Sequence, residues 1–413
     1  LSATLFNNVR IFDGSGAPAF LGEVLVEGDR ISRVARDAQH ISCDGAQRVD
    51  GGGATLMPGL IESHAHLSFT SSTGRIVRQK VLPAEEHLLI TAHNARVYLD
   101  HGYTGAYSAG SKGPRFEVAL KREIDGGYLP GPRLVASTFE RPANADKERS
   151  GPEALRQFVA DMAADGVQSV KLLLSGDDAF TPGGSQVVEY RDDEVAAAAQ
   201  QARESGIWLA CHAQAAGAVK MAARHGFRVV YHCTHADTEA LDLIEARKDE
   251  MFVAPAIGIV YAKAYLGESF GFTPEVVRKA GFLEAIERNV EVYASMKRRG
   301  IRILPGGDYG FPWNPIGENA RDLALFVTLF GWRPEEVLMA ATKWGAELMG
   351  EGTQLGQIQE GYLADLLLVR DDPVQHIDRL VDADNLLAIM KGGRFHKPPV
   401  SEASPCRCNL TAA

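Results

Sequence analysis

Pro58-Gly59-Leu60-Ile61-Glu62-Ser63-His64-Ala65-His66 is the stretch that decides how the chain is read. It continues the apolar run Ala54-Thr55-Leu56-Met57, so the whole reads as a strand that ends in two histidines. Strand side chains alternate between faces with period two, which puts His64 and His66 on the same side. Two imidazoles so placed can grip one divalent ion. Taken alone, the pair is equally compatible with two ordinary surface or core histidines, and the rest of the chain has to decide.

Working outward, apolar strand-like runs alternate with helical patterns, the mark of a parallel β/α array. Eight candidate strands follow: 54–57 running on to His66, then 105–108, 133–137, 169–174, 207–210, 227–231, 251–256 and 301–304. One intervening helix is predicted from Asp192-Asp193-Glu194 to just before Gly206, with acids in its first turn and a glycine to end it. A second runs from Pro334-Glu335-Glu336 through Met339 to Gly345. Eight such units suit an α/β fold of the (β/α)8 TIM-like barrel type over residues 58–351.

The two ends of the chain read differently. Short strands and turns fill residues 1–57, including a Gly28-Asp29 hairpin signal. The far end has apolar runs at 365–369 and 385–390 and a Lys391-Gly392-Gly393-Arg394 turn. Neither piece buries a good core alone, so residues 1–57 and 352–413 are expected to pair into one small β-sandwich domain.

The 413 residues are 45% apolar and 23% charged, an ordinary globular composition. A formal charge of −10 leaves no basic stripe for nucleic acid. No apolar run is long enough for a bilayer, and the start lacks a signal pattern, although Leu1 in place of Met is compatible with a trimmed leader. Five scattered cysteines fit reduced thiols in a cytoplasmic protein better than a disulfide framework. Cys406 and Cys408 read as an incidental pair near the tail.

In a β/α barrel the chemistry sits at the C-terminal strand ends. Candidate ligands recur there: His64 and His66 after strand one, Lys171 in strand four, His212 after strand five, His232 after strand six and Asp308 after strand eight. His235 is the alternative to His232, which is preferred because it directly follows the apolar run 228–231. The remaining histidines read as surface or structural. Nitrogen and oxygen donors of this kind suit zinc or a similar divalent ion. His64, His66 and Asp308 make one candidate site, and His212 with His232 a second that needs a bridging ligand. Lys171 lies in Val170-Lys171-Leu172-Leu173-Leu174, where a bare ammonium is costly to bury. It is either a surface lysine at a strand edge or, as the carbon dioxide adduct, an anionic bridge.

These segments resemble the amidohydrolase superfamily in its binuclear, lysine-carbamate form. The similarity lies in 58–66, in Val170-Lys171-Leu172-Leu173-Leu174-Ser175-Gly176, in Ala210-Cys211-His212-Ala213, in Val230-Tyr231-His232-Cys233, in Gly306-Gly307-Asp308 and in the run 356–366. The resemblance implies two divalent ions (zinc first, cobalt or manganese as alternatives), N6-carboxylated Lys171 between them, and a bridging water with a lowered pKa. It also implies Asp308 as metal ligand and proton shuttle, and an even-numbered homo-oligomer.

Within the superfamily the chain is most similar to the branch of prolidases, imidazolonepropionases and ochratoxin-cleaving amidases. The runs 171–177 and 307–315 also resemble a subgroup that hydrolyses phenylureas and thiocarbamates. The dipeptidase-like members commonly carry a histidine where this chain has Gln214 and an acid where it has Tyr231. The phenylurea group often replaces the first histidine, which is retained here as His64.

Aromatic residues Tyr261, Tyr309, Phe311 and Trp313, with Tyr231, are expected to line a site for a flat, largely neutral ligand. Phe270 and Phe272 read as loop packing. Arg141, Lys263 and Arg191 are the candidates for holding a substrate carboxylate. The expected activity is hydrolysis of an amide, urea or carbamate C–N bond of a small aromatic or apolar substrate. The alternatives are an Xaa-Pro or N-acyl amino acid dipeptidase, a deaminase of the same fold, a phosphoester or lactone hydrolase, and a non-catalytic relative.

Overall fold

A computed structural model describes residues 3–37, 39–79, 81–113, 115–143, 150–178 and 181–399. Cys406 and Cys408 lie outside the described residues.

The ends of the chain share one eight-stranded sheet. Its spatial order is Arg394–Lys397, Leu386–Lys391, Leu366–Val369, Thr55–Pro58, Ala3–Ile11, Phe20–Glu27, Arg30–Arg36, with Gln47–Asp50 beside Ala3–Ile11. The join between the termini is the antiparallel pairing of Leu366 with Pro58 through to Val369 with Thr55. The hairpin at Gly28-Asp29 forms, with Glu27 opposite Arg30. At the second hairpin Lys391 faces Arg394, and both central residues have positive φ (Gly392 54°, Gly393 71°), which the sequence meets with two glycines. Phe6, Val9, Val24, Leu56, Leu366 and Met390 belong to the core of this sheet.

The middle of the chain builds a parallel array. Leu60–Ala65, Tyr103–Ser108 and Arg133–Val135 pair in parallel. Ser169–Leu173, Trp208–Ala213, Val229–His232 and Phe252–Ala254 do the same in a second group. The amides of Gln168 and Ser169 donate to the Ala136 carbonyl at 3.0 and 3.2 Å, tying strand three to strand four. Ile303 bridges Val253 in parallel as strand eight, and the Ser63 hydroxyl donates to the Pro305 carbonyl, bringing strand eight back to strand one. This is the strand order of a (β/α)8 barrel. Side chains from several strands (Ile61, Tyr107, Val135, Val229, Tyr231, Phe252, Leu304) pack together in its interior.

The helix Asp192–Ser205 carries three acids in its first turn and ends on Gly206 in the left-handed conformation, as its sequence requires. The later helix starts at Pro334 and runs past Gly345 to Leu348.

Two expectations need correction. Residues 54–66 are not one strand: Thr55–Pro58 belongs to the terminal sheet and Leu60–Ala65 to the barrel. The chain changes sheet at Gly59, where a Cβ would lie 2.1 Å from the Thr104 hydroxyl, so only glycine fits. Strand eight is also less regular than expected, reduced to the single bridge at Ile303.

Candidate metal centre

The C-terminal strand ends bring the candidate ligands into one buried cluster. His64 and His66 have ring centroids 5.1 Å apart, as the period-two reading requires. His212 and His232 lie 4.2 Å apart, and His232 meets the edge of His64 at 5.6 Å. The His235 alternative does not join them. Its Nε2 faces the Ser185 hydroxyl at 2.9 Å and its Nδ1 the Arg288 guanidinium at 3.0 Å.

Asp308 is delivered by close backbone approach. A Cβ on Gly306 would stand 2.5 Å from Ser63 Oγ, and one on Gly307 2.3 Å from Asp322 Oδ1, so the chain turns there on two glycines. Asp308 itself has φ 59°, and His232 (78°), Cys233 (52°) and Ala256 (49°) also occupy the left-handed region at neighbouring strand ends. Non-glycine residues held there cost about 1–3 kcal/mol each and concentrate at functional sites.

His66 Nδ1 lies 3.1 Å from the Gly110 carbonyl, which can only accept, so Nδ1 carries a proton and Nε2 is the nitrogen turned to the site. That Nε2 lies 3.1 Å from Asp308 Oδ1, and His64 Nε2 is 3.9 Å from the same oxygen. Three ligand atoms, one each from His64, His66 and Asp308, lie within 4.8 Å of one another. At 3.1 Å a positive charge joins His66 Nε2 to Asp308: a proton on Nε2, as an imidazolium hydrogen bond, or a metal ion ligated by both. His64 Nδ1 is in addition buried without a hydrogen-bond partner among the described residues. Donor set and orphaned nitrogen both fit a divalent ion.

The electrostatics agree. Burial, reinforced by Lys171, His66 and His232, holds His64 well below the usual imidazole range against the pull of Asp308. Burial, then His212, with smaller contributions from Lys171 and Lys263, does the same for His232. Burial also lowers His212. Neutral imidazoles are the form that ligates. Burial alone would raise Asp308, but positive charge on His64, His66 and His232 and a hydrogen bond from His66 outweigh it and keep its carboxyl well below the usual range; a cation held by neutral imidazoles acts on it in the same direction.

Lys171 is buried to 1% exposure in strand four. Its amine donates to the Ala109 carbonyl at 2.9 Å, sits 4.5 Å above the Tyr231 ring and is 3.8 Å from Glu140 Oε1. Burial lowers its proton affinity while Glu140 and Asp308 act against that. The surface reading of Lys171 is therefore excluded by its position.

The match to the Amidohydrolase family covers residues 55–395, most of the chain. The chain belongs to the amidohydrolases. It is 24% identical to the ochratoxinase of Aspergillus niger over 366 residues, 88% of this chain but only 65% of that protein's length. It is 26% identical to an imidazolonepropionase of an Anaeromyxobacter species over 429 residues, covering 93% of this chain and 92% of that one. Among solved structures, a putative prolidase from Bifidobacterium longum superposes with a TM-score of 0.83 at 22% identity, covering 97% of this chain and 96% of the other. The shared fold extends over both the barrel and the terminal sheet.

Against this amidohydrolase frame, the expected substrate contacts divide. Tyr231 and Tyr309 are fully buried and do not line an open site. Tyr231 stacks on His64 at 3.9 Å and donates its hydroxyl to the Ser63 carbonyl. Tyr309 donates to Asp322 Oδ1 at 3.0 Å. Both are wedges behind the ligands, because their hydroxyls find partners only in the barrel wall.

Phe311 and Trp313 are half-buried and stack on each other at 5.3 Å. Phe311 meets Phe69 edge-on, and Phe69 stacks on His66 at 4.0 Å, so an aromatic chain runs outward from the metal-side histidine. Phe270 and Phe272 pack on Trp313, as loop packing predicts. Tyr261 pairs with Tyr265 at 4.8 Å. Arg191 is spent on Asp193 and Glu194 at the surface, and Arg141 lies over Phe158. Lys263, by contrast, lines the cavity that contains His232 and Asp308.

Three acids escaped the sequence reading. Glu140, after strand three, is 4.0 Å from His66 Nε2 and 3.6 Å from Lys112. Glu62 accepts from the His64 amide at 2.9 Å and from Asn319 at 2.7 Å, and burial raises its pKa to about 8. Asp322 accepts from the Gly306 amide and Tyr309, and burial raises its pKa to about 7. Glu62 had a signal: the alternation that pairs His64 with His66 includes it. Glu140 and Asp322 lie in a loop and at a helix start with no pattern to mark them.

Proposed function

We propose that the protein is a metal-dependent hydrolase of amide-type C–N bonds (amide, urea or carbamate) in a small aromatic or apolar substrate. The observation that carries this is the buried group of His64, His66 and Asp308, with His66 Nε2 3.1 Å and His64 Nε2 3.9 Å from the Asp308 carboxylate, a nitrogen and oxygen donor set that fits a divalent ion. Under this reading His64, His66 and Asp308 would hold one divalent ion and His212 with His232 a second, with Lys171, once carboxylated, as a further ligand. Zinc is the first choice and cobalt or manganese fit the same donors. Such ions supply a water of lowered pKa and polarise the substrate carbonyl.

The chain's own residues do the rest. Asp308, kept ionised by the positive charge at the centre, would accept the proton of the attacking water and hand it to the leaving nitrogen. Tyr231 fixes the His64 ring by stacking, and the Gly110 carbonyl fixes the tautomer of His66. Phe311 and Trp313 offer a flat apolar wall at the mouth. The resemblance to ochratoxinase and imidazolonepropionase supports C–N chemistry over phosphoester or lactone cleavage.

The test is turnover of a phenylurea, an aryl carbamate, an N-acyl aromatic amino acid and an Xaa-Pro dipeptide by protein reconstituted with zinc or cobalt. Amine or amino acid release that is abolished by chelation and restored by metal is expected. Turnover indifferent to chelation, or confined to esters, overturns the proposal.

A further inference from the structure

Next to the candidate metal centre lies a cavity whose lining includes Asp308, His232 and Lys263. Lys263 belongs to the one-turn π-helix Ala262–Leu266, which continues the helix Ile257–Tyr261 after strand seven. Single π turns of this kind recur at functional sites. The start of that helix is pinned, since a Cβ on Gly258 would stand 2.4 Å from Asp322 Oδ1. Lys263 is thus held by the barrel rather than by a free loop.

The side chain is only 9% exposed. Its ammonium lies 5.4 Å from the centre of the Phe282 ring, and among the described residues no carboxylate and no hydrogen-bond acceptor pairs with it. A buried ammonium without a counter-ion is costly and calls for an anion. Besides Asp308 two further acids share the cavity, but each is engaged with donors of the protein. Asp177 accepts from Gln214 at 3.1 Å, and Asp178 accepts from the Ser185 amide and hydroxyl at 3.3 and 2.5 Å. Lys263 is the only lysine or arginine among the described residues that line the cavity. Ala280 and Ala285 also line it.

We propose that Lys263 is the anchor for a carboxylate carried by the substrate, next to the reacting centre, so that the preferred substrates are amides of the N-acyl amino acid class. This rests on the hydrolase reading above and narrows it: the α-carboxylate of such a substrate is one carbon from the scissile nitrogen, within a cavity that Lys263 and Asp308 share. Neutral phenylureas lack the group and leave the ammonium unpaired.

The experiment compares an N-acyl phenylalanine with its primary carboxamide, on wild type and on Lys263→Met and Lys263→Arg. Losing one partner of a buried charge pair should lower kcat/KM for the free acid about 100-fold in Lys263→Met, mostly through KM. The carboxamide should lose much less than the acid in Lys263→Met, so that the acid-over-carboxamide ratio collapses, and Lys263→Arg should keep part of the preference. Metal content should stay at the wild-type level in both variants, which a damaged site would not allow.

A wild type that prefers the carboxamide, or a Lys263→Met variant with unchanged acid preference, overturns the anchor while leaving the hydrolase reading intact. If neither compound is cleaved, the hydrolase reading fails on these amides, and calorimetry decides the anchor separately. The probes are a ketomethylene isostere of the acid, whose scissile nitrogen is carbon, and its carboxamide. Binding of the acid isostere that weakens with Lys263→Met supports the anchor, and equal binding of both isosteres overturns it.

Discussion

Two buried charged regions of this molecule are built on opposite plans. At the seam between the barrel and the terminal sheet, Asp365 is 3% exposed and fully engaged. Arg133 donates to it twice, at 2.8 and 3.0 Å, and the Gly392 amide adds a third bond at 2.7 Å. At the barrel mouth polar groups are left short of partners: among the described residues His64 Nδ1 has no hydrogen-bond partner and Lys263 no counter-ion. Buried polar groups are normally satisfied because an unpaired one costs about 1–3 kcal/mol. The seam follows the rule and serves stability. The mouth breaks it at both groups, as sites that bind and react do.

The sharpest way to break the comparison is Asp308→Asn. If the mouth serves chemistry, kcat/KM should drop by about 10,000-fold. The melting temperature should barely move, because asparagine tolerates the positive φ at this position as well as aspartate does. Near-normal turnover would remove Asp308 from the reaction.

Lys171→Ala comes next, with metal content and activity expected to fall at least about 100-fold and to recover partly in propionate. A variant that keeps both would exclude Lys171 as a bridge and turn attention to Glu140, which stands 3.8 Å away.

The seam should answer in the other currency. Arg133→Met leaves Asp365 buried without its main partner and should cost about 2–3 kcal/mol in denaturant unfolding, an amount already discounted for the partial exposure of Arg133. Its kcat/KM should stay within about threefold of wild type. Loss of turnover with unchanged stability would refute the division of labour.

The smallest effect concerns the layer just beneath the mouth. Glu62 has its pKa raised from 4.5 to about 8, so the folded protein holds a proton there that the unfolded chain releases. That stability is complete below the unfolded value and is lost as pH rises through the folded one. For metal-free protein the Glu62 share of the loss between about pH 6 and pH 8 should be roughly 2 kcal/mol, and Glu62→Gln should remove that share while the parallel losses from Asp322 and Glu117 stay. Equal pH slopes for wild type and Glu62→Gln would show that Glu62 is ionised in the fold.

Much of this was legible in advance where a local pattern carries the information. Period-two spacing identified the His64–His66 pair, alternating strand and helix signals gave the parallel array, and the hairpins at Gly28-Asp29 and Gly392-Gly393 were signalled by their turn residues. The break at Gly59 was not legible, because it depends on Thr104 approaching from another strand. Tyr231 and Tyr309 were misread for a related reason: an aromatic residue beside a ligand points either to substrate or into the wall, and only packing chooses.

The sequence by itself determined which donors exist and that they fall at the ends of successive strands, since both follow from residue type and periodicity. Only the tertiary structure decided which of them face one another, that His232 rather than His235 joins the cluster, and that Lys263 rather than Arg141 or Arg191 stands beside Asp308. The reason is physical: proximity across strands far apart in the chain, and the burial that makes an unpaired charge expensive, are properties of the closed barrel and of no segment within it.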